Sequence, residues 1–312
     1  MVQKPKMKIL VTGCSGFIGK NFLELAPKTV EIVGVYNSSK GIVPFIKEKG
    51  LKNVRLCKCD LTDKEETKRL FSLIGDEFDY CLFLAGNVNV PLSKKDPVQD
   101  VKITVCSLIN TLQNCKIKRL VYMSTAGVYD GLKGKVDVNA KLNPAVPYCI
   151  SKLTAEQYVK FYYSIGKVKE YAILRFGGAF GKYSENKFMT KLVKDVCVHN
   201  KGEIEIYGDG NNLINVMYAK DAVNALIACL KSKKSNIVCN LALENMSIKD
   251  AVERVSKVFG KKVKIRCLPE LKGQKYITFT YDSDFNEIFS FKPDYSFEQG
   301  IKEFGKELKN EN

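Results

Sequence analysis

A glycine-rich turn between an apolar segment and a helical segment limits this chain to very few folds. Lys8–Val11 is predicted as a buried strand, and Thr12–Gly19 follows it with glycines at positions 13, 16 and 19. The first glycine permits a tight turn, the second lets a pyrophosphate approach the backbone, and the third lets the next helix pack closely on the sheet. This pattern predicts a dinucleotide-binding turn at the edge of a parallel sheet.

Apolar segments alternate with segments of helical periodicity through the first half of the chain. The predicted strands are Lys8–Val11, Glu31–Val35, Val54–Lys58, Tyr80–Ala85, Arg119–Ser124 and Glu170–Leu174. The predicted helices are Gly16–Leu25, Lys64–Leu73, Pro97–Asn114 and Tyr148–Ser164. The alternation predicts the α/β class, with a Rossmann doubly wound parallel sheet.

The alternation of predicted strands and helices becomes less regular after Arg175. The expected elements there are a helix at Lys187–His199, a strand at Ile204–Tyr207 and helices at Asp221–Leu230, Ser247–Phe259 and Phe297–Leu308. We expect residues 1–175 and about 215–238 to form the Rossmann domain. Residues 176–214 and 239–312 are expected to form a smaller α/β C-terminal substrate domain.

Charge and cysteine content argue against several classes of protein. The net charge of +16 comes from scattered residues, mostly lysine, so a nucleic-acid partner is not expected. The 11 cysteines lack the spacing of a disulfide framework, which favours free thiols in the cytoplasm. Cys57 and Cys59 have no second Cys or His pair nearby, so we expect no metal. No apolar segment is long enough to span a membrane, and no membrane partner is expected.

The single histidine, His199, excludes catalytic triads and dyads that need histidine. It is expected at the surface near a helix end.

Tyr148 and Lys152 are candidates for proton transfer, because residues four apart share one face of a helix. A nearby ammonium, together with the positive nicotinamide ring of an oxidised cofactor, is expected to lower the phenol pKa, so that Tyr148 can accept an alcohol proton near neutrality. Ser124 and Thr125 end a predicted strand at the carboxyl edge of the sheet, where ligands bind.

The end of the second predicted strand bears on the choice of cofactor. A carboxylate there normally bonds the adenosine ribose, but Gly34–Lys40 contains none. Ser38, Ser39 and Lys40 can bond a ribose phosphate, which favours NADP over NAD. Asn37 can instead serve the ribose hydroxyls, so NAD stays open.

Several motifs, in order along nearly the whole chain, resemble those of the extended short-chain dehydrogenase/reductases, and specifically the NAD-dependent epimerase/dehydratase family that acts on nucleotide sugars. They are Thr12–Gly19, Asp60–Asp63, Leu84–Gly86, Ser124–Tyr129, Tyr148-x-x-x-Lys152, Leu174–Phe176 and Ile206–Gly210.

The resemblance and the residue patterns described above together predict roles for individual residues. The catalytic residues are Thr125, Tyr148 and Lys152. The cofactor-binding residues are Gly13, Ser15, Gly16, Phe17, Ile18, Gly19, Asn37, Ser38, Lys40, Asp60, Leu61, Leu84, Ala85, Gly86, Tyr148 and Lys152. The substrate-binding residues are Ser124, Thr125, Gly178 and Lys187.

Departures from the family pattern narrow the expected reaction. Dehydratases carry Asp-Glu directly after the catalytic threonine, whereas this chain has Ala126 and Gly127, which argues against dehydration. Relatives hold the substrate pyrophosphate with an asparagine and an arginine, where this chain has Gly178 and Ile214. The compensating charge is expected from Lys182, Lys187, Lys272 or Lys275.

We therefore expect an NAD(P)-dependent sugar-nucleotide epimerase, with 4-position chemistry and Tyr148 as acid and base. An NADPH-dependent keto-sugar reductase of the same fold is the nearest alternative. A non-catalytic dinucleotide-sensing or RNA-associated scaffold is a more distant one. A homodimer is also possible, because the apolar residues Val98, Val101, Val105 and Leu108 suit either a partner helix or the sheet.

Overall fold

The computed structural model describes residues 7–185, 187–270, 278–281 and 283–310. The strands are β1 Lys8–Thr12, β2 Glu31–Tyr36, β3 Val54–Lys58, β4 Glu77–Phe83, β5 Lys116–Thr125, β6 Lys133–Val136, β7 Val168–Phe176, β8 Glu203–Tyr207, β9 Leu213–Val216, β10 Ile237–Leu241, β11 Glu244–Ser247, β12 Lys264–Leu268 and β13 Thr278–Tyr281.

The α-helices are α1 Phe17–Leu25, α2 Ile42–Glu48, α3 Lys64–Ile74, α4 Val90–Lys95, α5 Pro97–Val101, α6 Ser107–Asn114, α7 Pro147–Ser164, α8 Phe188–Cys197, α9 Ala219–Lys231, α10 Ile248–Val258, α11 Phe285–Phe289 and α12 Phe297–Asn310. A π-helical turn at Lys102–Cys106 joins α5 to α6, and a 3₁₀ turn at Ala126–Tyr129 follows β5.

Seven parallel strands form the central sheet in the order β10, β7, β5, β4, β1, β2, β3. The chain moves outward from β1 through β2 and β3, and then crosses to β4 on the other side of β1. The crevice between β1 and β4 is therefore the topological switch point, where doubly wound sheets bind ligands. The predicted fold class is confirmed, and all six predicted strands lie in this sheet.

Helices cover both faces of the sheet, which explains why its strands are nearly continuous apolar runs. Ile9 and Val11 belong to one buried cluster, together with residues of α1 and α9. Leu10 points to the opposite face and belongs to a second cluster, formed with α3, α6 and α7. Because successive side chains of β1 point to opposite faces, the strand is packed on both sides of the sheet.

A third hydrophobic cluster lies in the C-terminal half, where α8, α10 and α12 pack with β8 and β9. The five elements predicted after Arg175 are all present, although α9 covers the main sheet. The seventh strand of that sheet ends at Leu241, and Phe285 and Phe289 of α11 pack into its core. We propose that the two-unit division holds in outline, with these segments assigned to the Rossmann unit.

The predicted helix Pro97–Asn114 is not one regular α-helix, because the π-helical turn interrupts it. Val105 and Leu108 are buried, and Leu108 packs with residues of the sheet, whereas Val98 and Val101 are exposed. The four apolar residues therefore divide between core and surface. The homodimer stays a prediction.

His199 is exposed just beyond α8, as expected. All 11 cysteines are free thiols, and ten of them are at least partly buried. Within the described ranges, no helix has the length and apolarity to cross a membrane. The same ranges contain no group of three His, Cys, Asp or Glu side chains placed to hold a metal ion.

Candidate active site

The turn after β1 is in contact with the end of β4. Gly13 has a φ of +64°, and a Cβ at this position would lie 2.8 Å from the backbone nitrogen of Ala85. The Thr12 hydroxyl accepts hydrogen bonds from the backbone N–H groups of Leu84 and Ala85, each at 3.2 Å. Only glycine satisfies both the backbone conformation and the close approach. The two sides of the switch point are thereby fixed relative to each other.

The first turn of α1 lies against this loop. A Cβ at Gly19 would lie 2.6 Å from the Gly13 carbonyl oxygen, so the helix packs on the loop as closely as backbone atoms permit. Gly16 occupies the N-cap position without a side-chain cap, which leaves N–H groups of the first turn available. Such a helix start suits a pyrophosphate, and the residues present therefore fit a dinucleotide.

A cavity of about 800 Å³ runs from this loop along the carboxyl edge of the sheet. Its volume is typical of a ligand or cofactor site. All the predicted cofactor-binding residues line it except Lys40, which is exposed outside the lining. Ser124, Thr125, Gly178 and Lys187, predicted to bind substrate, also line it. The structure thus brings the cofactor and substrate predictions into one cleft.

Thr125, Tyr148 and Lys152 meet at the middle of this cavity. Thr125 ends β5, while Tyr148 is the second residue of α7, a helix that starts at Pro147. The Thr125 side chain hydrogen-bonds Tyr148, and its oxygen accepts from the Gly127 N–H at 3.2 Å. Lys152 lies one turn later and donates from Nζ to the Met123 carbonyl at 2.8 Å. A phenol, a hydroxyl and an ammonium therefore share one edge of the sheet.

Burial dominates the acid–base properties of this trio. It raises the pKa of Tyr148 to about 12, and the hydrogen bond with Thr125 opposes that rise. Burial also lowers the pKa of Lys152 to about 8, against the opposing effect of Asp100 and Glu156. In this structure desolvation outweighs the favourable interactions of the phenolate, so the pKa of Tyr148 is raised. The lowering expected with the oxidised nicotinamide ring beside the phenol stays a prediction.

A buried network behind the trio was missed by sequence reasoning. Glu156 is fully buried and accepts from Arg175 Nη2 at 3.0 Å and from Ser124 Oγ at 2.5 Å. The Ser124 hydroxyl proton therefore points to Glu156, although Ser124 was expected to bind substrate. Arg175 also donates to the Tyr129 hydroxyl at 2.8 Å. The spacing of Glu156, four residues after Lys152, was the available signal.

Other lining residues lie on the segment from α5 to α6, and sequence reasoning did not single them out. They are Gln99, Ile103 and Ser107. Next to them Asp100 is buried, and its Oδ1 accepts from Asn87 Nδ2 at 2.6 Å. The sequence carries no clear signal for these residues, because the π-helical turn decides which way they face.

The far end of the cavity has little side-chain bulk. Gly177 and Gly178 line it, and a Cβ at Gly177 would lie 2.4 Å from Asn215 Oδ1. Lys187, the residue before α8, lines the same end. Lys182 lies over the Tyr183 ring at 5.3 Å. Lys272 and Lys275 fall outside the described residues.

Residues 9–242 match the model of the NAD dependent epimerase/dehydratase family. A putative UDP-glucose 4-epimerase of Methanocaldococcus jannaschii is 27% identical over 314 residues, which cover 97% of this chain and 99% of that protein.

Two solved structures are also similar. The UDP-glucose 4-epimerase of Thermotoga maritima, determined with UDP-glucose, has a TM-score of 0.85 at 23% identity and covers 98% of this chain and 99% of its own. The UDP-glucuronic acid 4-epimerase of Bacillus cereus, determined with UDP-glucuronic acid and NAD, has a TM-score of 0.84 at 23% identity, covering 98% of this chain and 100% of its own. At this identity the likeness shows the fold alone.

Proposed function

This chain belongs to the NAD dependent epimerase/dehydratase family, and from that premise we propose that it is a nucleotide-sugar 4-epimerase. It is an enzyme of the extended short-chain dehydrogenase/reductase type. The observation that carries the proposal is the meeting of Thr125, Tyr148 and Lys152 in the cavity that the glycine-rich loop opens. The named activity of its relatives supports the position on the sugar.

The proposed proton chemistry follows from the hydrogen bonds of the trio. Thr125 and Tyr148 bond the 4-hydroxyl of the sugar, and Tyr148 accepts its proton and later returns it. Thr125 assists this proton transfer. Its oxygen accepts from the Gly127 N–H, so the Thr125 hydroxyl proton can be donated to the phenolate. The Lys152 ammonium stabilises the same phenolate through space. Bound NAD supplies the hydride acceptor and donor at the sugar carbon.

We propose that the reaction stops at epimerisation. Elimination of water would need an acid and a base next to Thr125, and Ala126 and Gly127 provide neither. A Cβ at Gly127 would lie 2.4 Å from Cys149 Sγ, so packing also leaves no room for a side chain there.

We propose NAD as the resident cofactor. The family is NAD-dependent, and the structure of the Bacillus cereus relative holds NAD, so the predicted NADP preference has no support from these comparisons. Lys40, which was expected to bond the extra phosphate, is exposed outside the cavity lining. Asn37 and Ser38 remain in the lining and suit ribose hydroxyls.

We propose that the substrate is a nucleoside diphosphate sugar, with its diphosphate near Lys187 and the backbone of Gly177 and Gly178. Both glycines line the cavity, and Asn215 packs against each of them where a Cβ would lie. Lys187 supplies a positive charge at the start of α8. A charged donor at a helix start is a favourable place for a diphosphate.

The test uses UDP-glucose deuterated at carbon 4, incubated with the purified protein and followed by NMR. An epimerase yields UDP-galactose that retains deuterium at carbon 4, with no net change in nicotinamide absorbance. Repeating the assay with UDP-glucuronic acid and UDP-N-acetylglucosamine identifies the preferred sugar. The Tyr148→Phe variant is the negative control.

One observation keeps the keto-sugar reductase as a second candidate. The end of β2 that lines the cavity offers Asn37 and Ser38 and no carboxylate, an arrangement that tolerates NADPH. A reductase would oxidise NADPH in proportion to a keto sugar and would leave UDP-glucose unchanged. Mass spectrometry of cofactor released from fresh protein adds a direct comparison, because an epimerase that recycles its hydride should retain NAD.

A further inference from the structure

A buried carboxylate near the Tyr148 and Lys152 pair has no part in the proton transfer proposed above. Asp100 is only 1% exposed. Its Oδ1 accepts from Asn87 Nδ2 at 2.6 Å, whereas its Oδ2 makes no hydrogen bond to any residue that the structure describes. Burying a carboxylate with one oxygen unpaired is costly unless a positive charge lies nearby. The position of Asp100 therefore calls for a cation.

The segment Gly86–Asn87 connects this carboxylate to the surroundings of the catalytic lysine. Asp100 and Thr104 are four residues apart and both are buried, and the Thr104 hydroxyl accepts from the Asn87 N–H at 3.2 Å. A Cβ at Gly86 would lie 3.3 Å from Lys152 Nζ and 3.8 Å from Thr104 Oγ1. Thr104 and the ammonium thus both lie beside Gly86, and α5 itself packs against α7.

The groups around the Lys152 ammonium come from four elements. Tyr148 and Glu156 lie on α7 itself, and the Tyr122 ring of β5 has its centre 5.2 Å from Nζ. Arg175 of β7 acts through Glu156, whose charge it matches with a 3.0 Å ion pair. Asp100 of α5 is the other carboxylate that interacts electrostatically with Lys152. Its negative charge is therefore available to balance the ammonium.

We propose that Asp100 is the counter-charge that keeps Lys152 protonated, and that Asn87 holds Asp100 in that place. Asp100 is thus a positioning residue, which acts on the reaction through Lys152. Its electrostatic role does not depend on the reaction that the protein catalyses, whereas its effect on turnover rests on the proposed function. Because an epimerase returns the proton that it takes, this role needs no proton path to solvent.

The sign of the effect follows from the charge of Asp100. A negative charge favours the protonated forms of both Lys152 and Tyr148, and it raises the pKa of each. Removing it favours neutral Lys152 and ionised Tyr148. Because both pKa values fall, both limbs of the activity profile against pH should move to lower pH.

The test compares wild type with Asp100→Asn. Lysine labelled with ¹³C at Cε reports Lys152 by NMR, and the signal is assigned by its absence in Lys152→Met. In wild type the signal should titrate near the pKa of about 8. We expect Asp100→Asn to lower that midpoint by about 1 pH unit. At pH 8 about one lysine in eleven is then protonated instead of one in two, and the pH profile of kcat for UDP-glucose should move to lower pH together with the midpoint.

Glu253→Gln is the matched control, since Glu253 is exposed on α10 and the change also replaces a carboxylate by an amide. It should move neither the midpoint nor the profile. Asp100→Ser, which retains a hydroxyl to accept from Asn87, serves as a second variant and should give the same shift as Asp100→Asn.

An unmoved Lys152 midpoint, with activity reduced equally at every pH, would overturn the proposal and leave Asp100 with a packing role. Failure of both Asp100 variants to fold, where Glu253→Gln folds, would also assign Asp100 to the fold instead. A shifted midpoint in a protein that epimerises no nucleotide sugar would support the counter-charge and reject the proposed function. The two proposals are thus tested separately.

Discussion

At the Tyr148 phenol, burial and hydrogen bonding act in opposite directions. Burial raises its pKa to about 12, and the bond with Thr125 lowers it. A phenol with so high a pKa is a poor base near neutrality, so the positive charge of Lys152 is needed at the moment of proton transfer. The three residues are therefore expected to act as a unit, with effects that do not add.

Tyr148→Phe should abolish most turnover while leaving the fold intact. The variant retains the ring but has no hydroxyl to accept the sugar proton, and general acid–base catalysis of this kind contributes about 10² to 10⁴ in rate. We expect kcat for UDP-glucose to fall within that range, with an unchanged melting temperature. Tyr158→Phe on the same helix is the control and should retain activity. A Tyr148→Phe enzyme with more than a tenth of wild-type kcat would remove Tyr148 from its role.

The sequence predicted the catalytic residues better than it predicted the charges behind them. Tyr148 and Lys152 were identifiable because their spacing and their place after β5 both pointed to one edge of the sheet. Asp100 and Glu156 gave no comparable signal, since carboxylates on helices usually face solvent. Only the packing of α5 and α7 shows that both are buried. Charge balance around Lys152 is thus a property of the fold.

At the scale of elements, the loop between β1 and α1 depends on the absence of side chains. Gly19→Ala would put a Cβ 2.6 Å from the Gly13 carbonyl oxygen and 2.7 Å from Cys14, both of them backbone contacts. The helix start must then move away from the loop and from the pyrophosphate. We expect NAD binding, measured by isothermal titration calorimetry, to weaken at least ten-fold, about 1.4 kcal/mol.

Gly41→Ala is the matched control for this change. Its Cβ would have no neighbour within 4 Å, and Gly41 has a negative φ of −82° that alanine adopts freely. NAD affinity should therefore stay within two-fold of wild type, roughly 0.4 kcal/mol. Equal losses in the two variants would mean that glycine at position 19 is not required for the cofactor site.

The pair of Glu156 and Arg175 joins α7 to β7 in the core. Glu156→Gln leaves the Arg175 guanidinium buried without its counter-charge, a loss that costs about 3 to 5 kcal/mol in free energy of unfolding. Urea unfolding followed by circular dichroism measures this change. Combining it with Arg175→Met should cost less than the sum of the single changes, because the orphaned charge is then gone.

Glu77→Gln provides the comparison for an exposed ion pair. Glu77 pairs with Lys116 at 3.5 Å with both side chains mostly in solvent, so its loss should cost less than about 1 kcal/mol. If Glu156→Gln were no more damaging than Glu77→Gln, the buried pair would not fix α7 against the sheet.

Regular elements were predictable where one periodicity extended over a long segment. Strand β5 and helix α7 are examples, since tertiary contacts only lengthened them or shifted their ends. The π-helical turn was not predictable, because it depends on how α5 and α6 pack on the rest of the fold. Strand β10 was missed because Ile237–Leu241 is short and becomes a strand only by pairing with β7.

At the scale of the whole molecule, the sequence indicated the sheet and its switch point but could not supply strand order. The β1 pairing with both β2 and β4 is a long-range choice, made by burial on both faces of the strand. The helices α8, α10 and α12 of the third hydrophobic cluster were predicted, but how they pack together was not. The cleft requires both parts, since Lys187 next to α8 completes its lining.

Buried thiols distributed over the molecule should make its stability sensitive to alkaline pH. Burial raises the pKa of Cys229 and Cys14 from 9.0 to about 12. Because the folded pKa lies above the unfolded one, the stabilisation is complete below pH 9 and is lost as pH rises towards 12. At pH 10 each such thiol should lower the free energy of unfolding by about 1.4 kcal/mol relative to its value at neutral pH.

Cys229→Ala isolates one of these contributions. The variant should be less stable than wild type at pH 8, because it leaves a small cavity in the core. Between pH 8 and pH 10, however, its free energy of unfolding should fall by about 1.4 kcal/mol less than that of wild type, since it has no thiol to ionise on unfolding. Urea unfolding at the two pH values measures the difference. Cys267→Ala at an exposed thiol should follow the wild-type slope, and a Cys229→Ala protein that also followed it would show that thiol burial does not set the alkaline limit of this fold.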